Sequence, residues 1–230
     1  MGMPKAGTTA IAALLGKKTG QKTMLDTPFF WYPYNFLLLK KEITLKNHLI
    51  KHSSILKNKI IKEPNFTLLF DEFYQLYPKA KFIFIVRNPK DNIRSILNRL
   101  NLPGNLPDFT AYDELPKSWQ SLFYDYYSSK NHYIEKLADM WVKYNNIYLQ
   151  NKERFILIKY EDFIKNKEVE IVKLAKSVGL NPQFDIKDIE NKQFQPKGNQ
   201  NILLDDFFEE NIKYIHQITL NLEKRLYDTN

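Results

Sequence analysis

The chain has 230 residues, 43% hydrophobic and 14% aromatic, enough apolar matter to bury a sizeable core and to exclude global disorder. It contains no cysteine, which excludes a disulfide framework and a thiolate metal site. A formal net charge of +8 favours polyanionic ligands, although most basic residues are lysines spread along the whole chain.

The chain opens on MGMPKAGTTAIAALL. Gly2, Gly7, Thr8 and Thr9 stand directly ahead of an apolar helical pattern, the arrangement of a loop built to hold phosphate. In such a loop successive N–H groups converge on an anion, and the helix N-terminus adds partial positive charge. The lysine, however, is Lys5, not the residue just before the first hydroxyl, so the loop departs from the nucleotide-hydrolase form. Ile11, Leu14 and Leu15 predict a helix from Thr8 to Lys18.

Further along, residues 21–24 read as a short strand and 27–36 as an aromatic, proline-broken loop leading into a helix. Residues 44–58 read as a polar helix. There His48 and His52 share a face, but no carboxylate lies near enough in sequence to complete a zinc set. A short strand in 58–64 ends at Pro64, and a helix is predicted over 65–78. KFIFIV (81–86) reads as a strand buried on both faces, followed by a helix over 88–100 with Asn88 as N-cap and Pro89 at its first position. Residues 101–116, with three prolines and a glycine, form the main irregular stretch and read as an acceptor gate. The tyrosine-rich segment 119–151 is predicted helical, with Trp119, Tyr124, Tyr126, Tyr127 and Trp141 as a core stripe. RFILIK (154–159) is a second buried strand, Lys167 to Val178 a helix closed by Gly179, and Asp205 to Tyr227 a final amphipathic helix.

Strands alternating with helices predict an α/β, P-loop-like fold in three layers, a mostly parallel central sheet flanked by helices, in a single domain over residues 1–230. A phosphate loop normally follows a strand, yet only Met1 precedes Gly2. The expectation is that this strand lies upstream of the sequence in hand. The alternative is a sheet that has lost it. No apolar run approaches the ~18 residues of a membrane span and no signal peptide is visible, so the chain reads as soluble and cytoplasmic.

In open parallel sheets ligands bind beyond the carboxyl ends of the strands. The opening loop, Lys62 and Arg87 all fall at such ends, and Ser95 lies two helical turns beyond Asn88, on the side of Arg87. Arg87 and Ser95 can together hold a second phosphate, distinct from the one on the loop.

GMPKAGTT, FIFIVRNPKDNIRSI and RFILIKYEDFIKN resemble the three landmarks of sulfotransferases that use 3′-phosphoadenosine 5′-phosphosulfate (PAPS). IKEP (61–64) resembles the lysine-proline strand end of the carbohydrate and tyrosylprotein branches, and FQPKGNQN (194–201) the lysine-glycine loop that closes over the donor. The resemblance implies that Lys5, Ala6, Gly7, Thr8 and Thr9 bind the 5′-phosphosulfate, that Arg87 and Ser95 bind the 3′-phosphate, and that Lys197 and Gly198 cover it. It places Lys62 near the transferring sulfuryl group. That group carries less negative charge than a phosphoryl group, so lysine and backbone donors suffice at the leaving oxygen. In these branches a glutamate ahead of an aromatic pair is the base. Here Asp26 holds that place, followed by Phe29 and Phe30, and Glu63 beside Lys62 is the second candidate.

The leading expectation is therefore sulfuryl transfer to a hydroxyl or amine of a small molecule or saccharide, with no nucleic acid as partner. The alternatives are a phosphate-loop small-molecule kinase using ATP-magnesium and a nucleotide-binding remnant without turnover.

Overall fold

A computed structural model of the chain describes residues 1–124, 128–194 and 201–228. In chain order its elements are α1 (Thr8–Thr19), β1 (Thr23–Leu25), α2 (Tyr34–Leu39), α3 (Leu45–Lys51), β2 (Ile60–Lys62), α4 (Phe70–Leu76), β3 (Phe82–Val86), α5 (Pro89–Leu100), α6 (Lys117–Gln120), α7 (Tyr133–Gln150), β4 (Phe155–Lys159), α8 (Tyr160–Lys165), α9 (Lys167–Ser177), α10 (Lys187–Glu190), α11 (Leu204–Phe208) and α12 (Ile212–Tyr227). They form two compact units, one of Met1–Val86 with Asn151–Phe194 and one of Arg87–Gln150 with Gln195–Asn230.

The first unit holds every strand among the described residues, and all the pairing is parallel. β1 lies beside β2, with Leu25 opposite Lys62, and β3 beside β4, from Phe82 opposite Phe155 to Val86 opposite Lys159. On its other edge β3 carries the start of the chain. Gly2 bridges Ile85 in parallel, and the Ile85 N–H donates to the Met1 carbonyl at 3.1 Å. The residues ahead of the loop thus run where a strand before a phosphate loop should run, and the ladder there is one bridge long.

α1 buries the stripe read from its sequence. Ile11, Leu14 and Leu15 sit in a core with Ala6, Ile85 and Ile158, and with Ile171, Leu174 and Ala175 of α9. Each of the three larger side chains contributes about 1.5–3 kcal/mol by leaving water. Gly20 ends the helix in the left-handed conformation (φ 66°), its N–H returning to the Gly16 and Lys17 carbonyls. The helix expected over 65–78 divides into a 3₁₀ segment, Pro64–Leu69, and α4. Its start is set by Glu63, whose carboxylate accepts the Asn65 N–H, and by Pro64 at the first position. The helix expected over 44–58 likewise stops at His52, where φ is −115°, and continues as a 3₁₀ turn.

The second unit packs α12 on α7, with α5 against both. Tyr133, Trp141 and Tyr144 of α7 are fully buried, so Trp141 belongs to the core as read; Tyr126 and Tyr127 lie outside the described residues. The segment 119–151 is not one helix. α6 ends at Gln120, a 3₁₀ turn follows, and α7 starts only at Tyr133. The terminal helix is interrupted at Glu209, whose φ of 47° no right-handed helix accommodates.

The proline-rich stretch 101–116 is anchored at its base. The Tyr133 hydroxyl donates to the Pro103 carbonyl (2.9 Å) and accepts the Leu106 N–H (3.1 Å). Asn211 Nδ2 donates to the carbonyls of Gly104 (2.9 Å) and Leu106 (2.8 Å). Among the described residues no helix is long and apolar enough to cross a membrane.

Candidate functional site

The glycine loop over residues 2–9, the candidate phosphate loop, is shaped by backbone. Lys5 (φ 68°) and Gly7 (φ 96°) both adopt left-handed conformations on either side of Ala6, whose N–H donates to the Met3 carbonyl at 3.1 Å. For a lysine that conformation costs about 1–2 kcal/mol, so the surroundings enforce it. Ala6 is 1% exposed and anchors the loop in the core, while Lys5 and Thr9 are half-buried. A Cβ on Gly7 would lie 2.3 Å from the Tyr160 ring, so the first residue of α8 closes one side of the loop and requires glycine there. Gly7 offers α1 no side-chain cap and the first turn of α1 carries no acid, an arrangement suited to an anion.

A second cluster lies in the same unit, at the ends of β1 and β2. Asp26 follows β1, and its N–H donates to the carbonyl of Lys62, the last residue of β2, at 2.9 Å. The two side chains form an ion pair, Lys62 Nζ to Asp26 Oδ1 at 2.5 Å. The lysine side chain is 6% exposed and the aspartate 27%, so the pair has one face to solvent, and that face is the carboxylate's. Asp26 is also left-handed (φ 63°), which aspartate tolerates better than most residues.

Glu63 occupies the adjoining position but is enclosed, at 2% exposure. Its Oε1 accepts the Asn65 N–H (3.1 Å) and Nδ2 (3.0 Å), and its Oε2 accepts the Thr27 N–H (3.4 Å). Burial pushes its carboxyl up to about 7. The Asn65 N–H pulls it back, and the Asp26 charge adds to the rise. The Glu63 oxygens are thus engaged inside the protein, and the Asp26 carboxylate is the more exposed of the two acids.

The segment after Asp26 is tied at several points. Besides the Asp26 and Thr27 amides, the Phe29 carbonyl meets His48 Nε2 at 2.6 Å and the Phe30 carbonyl accepts Asn65 Nδ2 at 2.8 Å. Phe30 is fully buried, its ring edge-on to those of Phe66 (4.6 Å) and His48 (5.1 Å). His48 and His52 therefore serve this segment, His52 by stacking on Phe29 at 3.9 Å.

Sequence reading missed Asn65, Tyr160 and Thr67, whose hydroxyl accepts the Gly2 N–H at 2.8 Å, and it weighed His48 only as a metal ligand. The Asn65 signal was present in the Lys-Glu-Pro-Asn run, a capping pattern. Thr67 gave none, being a single hydroxyl inside an apolar stretch.

Arg87 and Ser95 belong to the second unit. Both are half-buried, Arg87 ahead of the Asn88 cap and Ser95 two turns into the unbroken α5. The Arg87 carbonyl accepts Trp141 Nε1 at 2.9 Å, which fixes the backbone where the arginine departs. Asn88 caps α5 through the Lys90 N–H and donates to Glu223 at 2.9 Å. Lys197 and Gly198 lie outside the described residues.

A crystal structure of a sulfotransferase from Alicyclobacillus acidocaldarius is similar to this chain in fold, with a TM-score of 0.52 at 14% identity, covering 94% of this chain and 92% of that one. The family model for the sulfotransferase domain matches residues 1–216, from the phosphate loop into α12. With its lysine-bearing loop and parallel α/β core inside that match, the chain belongs to the sulfotransferase family.

Proposed function

We propose that the protein transfers the sulfuryl group of PAPS to a hydroxyl or amine acceptor. In this reading the loop Lys5-Ala6-Gly7-Thr8-Thr9 holds the 5′-phosphosulfate, and Lys5 meets the bridging oxygen as charge builds there. Arg87 and Ser95 hold the 3′-phosphate, and Lys197 and Gly198 cover it, as the motif resemblance implies. Asp26 takes the proton of the acceptor while its oxygen or nitrogen bonds to sulfur, and the bond from sulfur to the phosphate oxygen breaks with its electrons leaving on that oxygen. Lys62 sits near the transferring sulfuryl group, as the motif resemblance implies. Among acceptors, the net charge of +8 favours an anionic saccharide.

One observation carries the reading. The parallel pairing of β1 with β2 sets the Asp26 carboxylate, the more exposed of the two acids, against Lys62 in the unit that also bears the phosphate loop. The test is transfer of label from ³⁵S-PAPS to a panel of sulfated and unsulfated oligosaccharides, phenols and simple alcohols. Labelled product with stoichiometric adenosine 3′,5′-bisphosphate supports it. Absence of label from every acceptor, with the donor left intact, rejects it.

A further inference from the structure

The root of the phosphate loop is gripped from two sides. On one, a Cβ at Gly2 (φ 132°) would lie 2.5 Å from the Ile85 carbonyl oxygen, so the β3 backbone is in close contact. On the other, Gly2 makes no strand bridge among the described residues and bonds instead to Thr67. The Gly2 N–H donates to Thr67 Oγ1 at 2.8 Å, and the same hydroxyl donates to the Gly2 carbonyl at 3.3 Å. Thr67 is fully buried. One side chain thus does what a neighbouring strand would do, satisfying donor and acceptor of the same residue. It sits in the 3₁₀ segment whose cap, Glu63, holds Thr27.

We infer that Thr67 is a positioning residue for the donor loop: its hydroxyl fixes Gly2 and through it the left-handed Lys5 and Gly7. Losing it leaves two buried backbone groups without a partner at the loop's root, and the loop relaxes away from its anion-binding shape. This inference rests on the reading of the loop as the donor-phosphate site.

The experiment compares Thr67→Val, nearly the same shape without the hydroxyl, with Thr67→Ser, which keeps the hydroxyl and drops the methyl. Calorimetry with adenosine 3′,5′-bisphosphate should show binding weakened about tenfold in Thr67→Val and held within about twofold in Thr67→Ser. Amide exchange of the unliganded chain gives a readout that needs no nucleotide. The Ala6 N–H, bonded to the Met3 carbonyl, should exchange faster in Thr67→Val and unchanged in Thr67→Ser. If the valine chain does not fold, Thr67→Cys, with its weakly bonding thiol, carries the same comparison. Equal bisphosphate affinity and equal Ala6 exchange in wild type and Thr67→Val, even with a lower melting temperature, would overturn the inference and leave Thr67 a stabilising role only. Equal losses in Val and Ser would also overturn it, by assigning the effect to the methyl. A wild type that binds no bisphosphate defeats the proposed function, and the exchange data still decide the role of Thr67.

Discussion

The phosphate loop and the corner at the ends of β1 and β2 lie in the same unit and are held in different ways. The loop takes its shape from backbone conformations at Lys5 and Gly7, from the neutral hydroxyl of Thr67 and from packing against Tyr160 and the core. The corner is set by charge, with an Asp26–Lys62 ion pair and a buried Glu63 carboxyl beside it. A backbone cradle keeps its form over a wide pH range and suits a ligand that is always anionic. A charge-set corner responds to protonation and suits a step in which a proton moves. Substitutions that keep shape but change charge at the corner should therefore disable it and leave the form of the loop intact.

The largest effect expected is at Asp26. Asp26→Asn keeps the side chain's size, removes the base and leaves Lys62 buried without its counter-charge. Turnover in the label-transfer assay should fall about a hundredfold or more, while bisphosphate affinity stays within about twofold of wild type. A parallel loss of bisphosphate affinity would show that corner and loop are not separately held. Unchanged turnover would move the base to Glu63.

A smaller effect, seen in stability, is expected at Glu63. Its carboxyl titrates near 7 in the folded chain against an ordinary value of 4.5. The folded state therefore holds a proton that the unfolded state has released between those values. The resulting stabilisation is complete below about pH 4.5, declines as pH rises, and is gone above about 7; at full extent it is about 3 kcal/mol. Urea denaturation of wild type and Glu63→Gln should show this slope in the wild type and lose it in the variant. Matching slopes would mean that Glu63 does not titrate in this window, and the contrast between corner and loop would weaken.

The contrast also explains what was legible in the amino-acid sequence. The loop, β3 and the α5 cap were readable because their signals are local: glycines at the turn, a β-branched and aromatic run, Asn88 before Pro89. Lys62 and Asp26 were readable singly, from motif resemblance, but their ion pair depends on the β1–β2 register. Thr67 could not be read at all, because its partner lies 65 residues away and its neighbours are apolar. The overlong helices over 65–78, 119–151 and 205–227 share one cause. Apolar periodicity continued across breaks at Leu69, where φ is −109°, at the turn after Gln120, and at Glu209.

Donor recognition is tested most directly by calorimetry with adenosine 3′,5′-bisphosphate and with ATP-magnesium, on wild type and on Arg87→Ala. Tight metal-free binding of the bisphosphate by the wild type, and loss of its advantage over adenosine 5′-monophosphate in Arg87→Ala, is the result expected. Preference for ATP-magnesium, or an Arg87→Ala chain that still discriminates in favour of the 3′-phosphate, would contradict the account.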